Sequence, residues 1–263
     1  MFDVAAETAL LLGFAAFFAG FMDAIAGGGG LVTVPALLLA GFSPVEALGT
    51  NKLQSLFGSG SSVIAFASKG HVDLKAQLPW AAVSFLASIG GALVATLLPS
   101  ELLETVLPVL LIAIAIYFAF KPRVDDIDRA RRVSPLFFGL TAVPLVGFYD
   151  GAFGPGAGSF FMLAFVALAG FGVLKATAHT KLLNFASNLG AFVAFASVGV
   201  VFWKIGLMMG AAQFIGARLG AALAMKKGAT VIKPLLITVC IALAVKLLLE
   251  DGNPIAVYFG FQT

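Results

Sequence analysis

The sequence predicts an all-α, polytopic membrane protein of about 8–10 membrane segments, built as two inverted repeats with Gly-rich helix breaks. Three observations predict it. Of 263 residues, 60% are hydrophobic and 11% charged, with a mean hydropathy of +1.05; a water-solvated domain carries about 25% charged residues. Apolar runs follow one another along the whole chain. The two halves of the chain also repeat each other.

The apolar runs of the first half are 8–26, 31–41, 45–67, 76–98 and 102–120. Those of the second are 134–153, 158–171, 175–198, 204–225 and 230–249. A helix needs about 20 apolar residues to cross a bilayer, and most runs meet that. Residues 31–41 are too few at about 1.5 Å of rise each, and 158–171 are marginal. These two are expected to be short, tilted or re-entrant. The chain thus divides into a first membrane repeat (1–120), a charged linker (121–133) and a second membrane repeat (134–263). MFDVAAETA holds no basic residue ahead of its apolar run, so no signal peptide is expected. The single cysteine, Cys240, sits inside an apolar run and reads as a small buried residue. No disulfide framework, metal cluster or cofactor is implied.

The repeat is visible residue by residue. "GFMDAIAGGGG" (20–30) matches "GFYDGAFGPGA" (147–157) at an offset of 127, and beyond this turn the offset becomes 129. Residues 41–75 against 170–204 then share 12 identities in 35 positions, among them Lys52–Leu53 with Lys181–Leu182 and the two copies of "AFAS". Internal repeats of this kind are common in secondary transporters.

The charge pattern orients the chain. The net charge is +3. Basic residues gather in 121–132, in 68–75 and at Lys226–Lys227, whereas Asp3, Glu7, 99–104 and 250–252 are acidic and free of bases. The positive-inside rule puts the linker in the cytoplasm and both termini outside. Every cluster fits if each half crosses an odd number of times, which makes the repeats inverted; Lys204 is the exception. The pattern speaks of a lipid bilayer and not of nucleic acid.

Four charged residues within the apolar runs recur as two repeat-related pairs. Asp23 and Asp150 are equivalent under the repeat, as are Lys52 and Lys181. Each charge at a bilayer centre costs about 2.5–3.5 kcal/mol, so these must pair, face water or lie shallow. Gly27 to Gly30 and "GPGAG" (154–158) interrupt helices, and non-helical backbone at membrane depth must be buried in protein or line a cavity. The helices that restart there offer N–H groups suited to anions. Downstream, Thr50, Asn51, Gln54 and Ser55 surround Lys52, and His179, Thr180, Asn184 and Asn188 surround Lys181. Lys181, Asn184 and Asn188 share one helical face, and Lys52, Ser55 and Ser59 repeat that spacing. A cation followed by hydrogen-bond donors suits a small oxyanion.

At these residues the chain resembles the TauE/SafE sulfite exporter family of membrane transporters. The resemblance rests on Gly20, Asp23, Ala24 and Gly27 to Gly30, then Gly49, Thr50, Asn51 and Lys52. Its second-half echoes are Gly147, Asp150, Gly151, Gly154, Pro155, Gly156 and Gly158, then Thr180, Lys181 and Asn184. The resemblance implies transport of sulfite, a sulfonate or a related organosulfur anion, generally out of the cell. His179 and Ala157 depart from the family pattern.

The substrate-binding candidates are therefore Lys52, Lys181, Asn51, Thr50, Gly28, Gly29, Gly156, Thr180, Asn184 and His179. Each has a structural counterpart reading. The lysines either coordinate an anion or form ion pairs with Asp23 and Asp150. The aspartates either cap backbone N–H groups and hold the lysines or bind a coupling proton or Na⁺. The glycines either line a substrate path or pack helices closely, as Gly206/Gly210 and Gly216/Gly220 are expected to do. Arg218 and Gln213, within one span, divide between a helix interface and a pathway. A carrier that binds a cation at the paired aspartates is the alternative transporter. An intramembrane enzyme is a third reading, disfavoured because catalysis seldom needs two copies of one half-site.

Overall fold

The computed structural model describes residues 5–120 and 127–227. The run 230–249, Cys240 and the first part of the linker lie outside the described residues. Within them nine α-helices account for every expected apolar run: α1 (Ala6–Ala26), α2 (Gly30–Leu39), α3 (Pro44–Ala67), α4 (Leu74–Leu97), α5 (Ser100–Phe120), α6 (Pro135–Ala152), α7 (Ala157–Ala164), α8 (Val173–Ser197) and α9 (Trp203–Lys227). A π-helical turn, Phe165–Ala169, extends α7. The two runs too short to cross are α2 and α7 with its π turn.

Local chemistry sets the helix starts. Ser43 and Glu46 form a reciprocal capping box at α3, with Pro44 in the first turn. Ser134 Oγ accepts from Phe137 N ahead of Pro135 at α6, and Asp73 Oδ1 accepts from Ala76 N at α4. The start of α8 is capped from a distance: Gly172 N donates to Asp128 Oδ1 of the linker at 2.7 Å, and Lys175 Nζ reaches Asp128 Oδ2 at 2.7 Å.

Among the described residues, four helices are long and apolar enough to cross a membrane: α1, α4, α6 and α9 (to Lys226). They carry exposed leucines and phenylalanines, among them Leu10, Phe14, Leu86, Leu97, Leu140, Leu145 and Leu219. That is the surface a lipid-facing helix presents. Helix α9 packs on α1, and α4 packs on α6. Gly216 and Gly220 face the carbonyls of Phe17 and Phe21, while Gly91 faces that of Phe148 and Gly151 that of Ser88. No Cβ fits at these positions, so the helices meet backbone to backbone, as expected for Gly216/Gly220. Gly206 and Gly210 likewise pack against Leu53 and Phe57.

Helices α3 and α8 run through the middle. They pack on each other, α3 also on α9 and α8 also on α4. They are as long as the apolar four but bury Lys52, Asn51, Gln54, Lys181, Asn184 and Asn188. Exchanging α1 with α6, α2 with α7, α3 with α8 and α4 with α9 turns each main contact into its partner. The packing of the described helices is therefore duplicated along with the sequence.

Candidate functional site

The two breaks meet. The first, Gly27 to Gly29, separates α1 from α2; the second, residues 153–156, separates α6 from α7. Gly27 has φ +76°, and a Cβ there would lie 2.5 Å from Ser159 N. Only glycine allows both that conformation and that approach. Ser159 Oγ donates to the Ala26 carbonyl at 2.6 Å, tying the start of α7 to the end of α1.

Across this meeting point the charged residues pair between halves. Lys52 of α3 donates to Asp150 Oδ1 at 2.6 Å and to the Asp150 carbonyl. Lys181 of α8 donates to Asp23 Oδ2 at 3.1 Å and to the Asp23 carbonyl. Each ammonium thus takes both a carboxylate and a carbonyl near a helix C-terminus, where the helix dipole favours a cation. Both lysines are 0% exposed, and Asp23 and Asp150 are 6% and 2% exposed. Charges so deeply buried persist only when paired and hydrogen-bonded.

The aspartates complete their bonding in different ways. Asp23 Oδ1 accepts from Gly28 N at 3.0 Å and Gly29 N at 3.1 Å. Asp150 Oδ2 accepts from Ser187 Oγ. Gly154, φ +93°, leaves space for the Lys52 ammonium, which would lie 2.8 Å from a Cβ at that position.

A cavity of about 20 Å³ lies between the breaks. Its walls are Asp23, Asp150, Gly28 to Gly30, Gly154, Ala157 and Gly158, with Asn51, Ser55, Asn184, Asn188 and Gln213. Asn51 Oδ1 is occupied by Thr33 Oγ1 (2.6 Å) and Gln54 Nε2 (2.9 Å). This leaves Asn51 Nδ2 as a donor beside Gly30. Asn184 Oδ1 receives Asn188 Nδ2 at 3.3 Å, leaving Asn184 Nδ2 beside Gly158. Two amide donors therefore stand at the start of the two short helices.

Of the residues singled out from sequence, Asn51, Asn184, Gly28, Gly29, Asp23 and Asp150 line this cavity. Lys52 and Lys181 stand one layer behind it, on the carboxylates. Thr50 Oγ1 accepts from Phe202 N at 3.1 Å, just ahead of α9. Gly156, φ +80°, caps α7. Thr180 is buried outside the lining, its Oγ1 without a partner. His179 bonds the Lys175 carbonyl through Nδ1 at 2.9 Å and sits edge-on to Phe165 and Phe171. Arg218 is exposed, whereas Gln213 reaches the cavity. Ser187 was missed, because the repeat puts glycine, Gly58, at the equivalent position.

Helices long and apolar enough to cross a membrane, a duplicated pair of helix breaks and a buried polar cavity between them are features of secondary transporters. The chain belongs to the family described as "Sulfite exporter TauE/SafE", which matches residues 12–247. It is 58% identical over 260 residues to "Probable membrane transporter protein ORF9" of Sinorhizobium sp, covering 99% of this chain and 100% of that protein. It is 47% identical over 257 residues to "Probable membrane transporter protein YfcA" of Escherichia coli strain K12, covering 96% of each. A "Probable membrane transporter protein" of Haemophilus influenzae is 43% identical over 253 residues, covering 95% of this chain and 98% of that protein. No solved structure matches the chain.

Proposed function

We propose that the protein is a secondary transporter, acting as an exporter, for a small sulfur-containing oxyanion such as sulfite or an organosulfonate. The observation that carries this reading is the symmetry of the cavity. Two amide donors, Asn51 Nδ2 and Asn184 Nδ2, flank it, and the Lys52 and Lys181 ammonium groups stand directly behind. In this reading Asn51, Asn184, Gly28 and Gly29 contact the anion. Lys52 and Lys181 supply its counter-charge, and Asp23 and Asp150 carry the coupling proton or Na⁺. Thr50, Gly156, Thr180 and His179 shape the helices that hold these groups.

A cavity of about 20 Å³ holds roughly one water molecule. A polyatomic anion requires it to widen, and the two breaks are the places where the backbone can yield. Alternating access follows: the breaks part first toward one face and then toward the other. The repeats are read as inverted in the bilayer of the cell membrane, with linker 121–133 cytoplasmic and both termini outside.

Proteoliposomes test the proposal. Radiolabelled sulfite loaded inside should leave through the wild-type protein, and Lys52→Ala or Lys181→Ala should stop it. Unchanged flux in both variants would refute the assignment of the site. One observation favours a second reading: carboxylates, not ammonium groups, line the cavity. A cation carrier built on Asp23 and Asp150 would be stabilised in detergent by Na⁺ alone and not by sulfite.

A further inference from the structure

The charges around the cavity constrain what can cross with the anion. Lys52 and Asp150, and Lys181 and Asp23, neutralise one another. Among the described residues lining the cavity, only the two aspartates carry an ionisable side chain. The charged groups facing them are Lys181 from α8 and Lys52 from α3. Tyr149, beside Asp150 on α6, donates its hydroxyl to the Pro155 carbonyl at 2.6 Å. One wall of the cavity is left unsatisfied. Gln213 is 2% exposed, lines the cavity, and its Oε1 has no hydrogen-bond partner.

We infer that the unloaded carrier resets without substrate, and that each negative charge of the anion crosses with one monovalent cation, in electroneutral co-transport rather than obligate exchange. The inference rests on the anion reading above. An uncompensated charge at membrane depth disfavours the crossing state by roughly 100-fold. The empty site avoids that penalty because its ion pairs close on themselves. A loaded site avoids it only when the anion brings its own counter-charge. That cation is either a proton on a carboxylate released from its lysine or Na⁺ held by the carboxylates and Gln213 Oε1.

Full-length protein in liposomes, loaded with radiolabelled sulfite, tests this. Wild-type release into sulfite-free buffer should match release into sulfite buffer within about threefold. The steady-state accumulation ratio should follow an imposed pH or Na⁺ gradient and ignore a potassium–valinomycin potential. One uncompensated charge would instead move that ratio about fiftyfold per 100 mV. A response to pH alone assigns the proton; a response to Na⁺ alone assigns Na⁺.

Asp150→Asn leaves Lys52 unbalanced in the empty site. Release into sulfite-free buffer should then fall by up to about 100-fold more than exchange does. A purely structural role would lower both rates together in Asp150→Asn. That result, accumulation that follows the potential, or a wild type that needs external sulfite would overturn the inference. A wild type that moves no sulfite in either mode would overturn the anion reading itself, and does so before any variant is compared.

Discussion

Asp23 and Asp150 occupy equivalent positions in the two halves, yet one is tied to its own turn and the other to its neighbours. Asp23 spends one carboxylate oxygen on Gly28 N and Gly29 N, so the first break closes on itself. Asp150 spends the matching oxygen on Ser187 of α8, and the second break is clamped instead by Tyr149 on the Pro155 carbonyl. The neighbours differ to match. Gly58 stands where the second half has Ser187, and Gln213 stands where the first half has Ser84. Gln213 packs over Gly58 and Gly20, whereas Ser84 Oγ turns back to the Leu183 carbonyl at 3.0 Å. One half-site is thus a closed structural cap. In the other, the carboxylate is held only by side chains that can trade partners.

Variants at the four charges should break this comparison most strongly. Lys52→Ala or Lys181→Ala leaves a buried carboxylate without its cation, and each is expected to cost about 3–5 kcal/mol of stability. Thermal unfolding in detergent measures it.

Next come the glycines at positive φ. Gly27→Ala and Gly154→Ala should each cost about 1–3 kcal/mol from backbone strain. They should part in function: at Gly154 the new methyl group presses on the Lys52 ammonium, so flux should fall further than stability predicts.

The asymmetry of the aspartates is sharpened by amides. In Asp150→Asn, the amide can accept from Lys52 and donate to Ser187 Oγ. In Asp23→Asn, Gly28 N and Gly29 N retain the oxygen, and the new NH₂ faces the Lys181 ammonium. Asp23→Asn should therefore be the less stable variant, by about 1–2 kcal/mol. Equal melting temperatures would erase the distinction between the two breaks.

The smallest effect concerns how α3 and α8 start. The first is capped by its own Ser43 and Glu46, the second by Asp128 from the linker. The Gly172 N–H and the Lys175 ammonium hold the Asp128 carboxyl below its usual value of 3.8. A depressed carboxylate stabilises the fold above its unfolded pKa and loses that contribution as pH falls below about 4. Asp128 is more than half exposed, so Asp128→Ala should cost only a few tenths to about 1 kcal/mol at neutral pH and nothing in acid. Melting temperatures of both proteins across that range would show it.

Much of this was legible in the sequence, because a duplicated chain states its invariants twice. Two aspartates, two lysines and two glycine breaks at fixed offsets can be read without coordinates. What the offsets cannot show is which half faces which. They mark Lys52 and Lys181 as equivalent but are silent on the crossing that sends Lys52 to Asp150. Closeness in sequence to a lysine also misled on contact. Successive helical residues point about 100° apart, so Asn51 and Ser55 reach the cavity while Thr50 turns toward the start of α9. His179 is carried round to Phe165 and Phe171 in the same way. Ser187 was hard to see because the repeat breaks there: glycine, Gly58, fills the equivalent place. Gln213 stood out as a polar residue within a span, but only packing shows that it reaches the cavity.

The central claim is that the cavity between the breaks receives an anion, and ligand-dependent stability in detergent tests it most directly. Sulfite should raise the melting temperature of the wild-type protein in a concentration-dependent way, and the rise should vanish in Asn51→Ala/Asn184→Ala. Protection by Na⁺ alone, with sulfite inert or equally effective in the double variant, would contradict it.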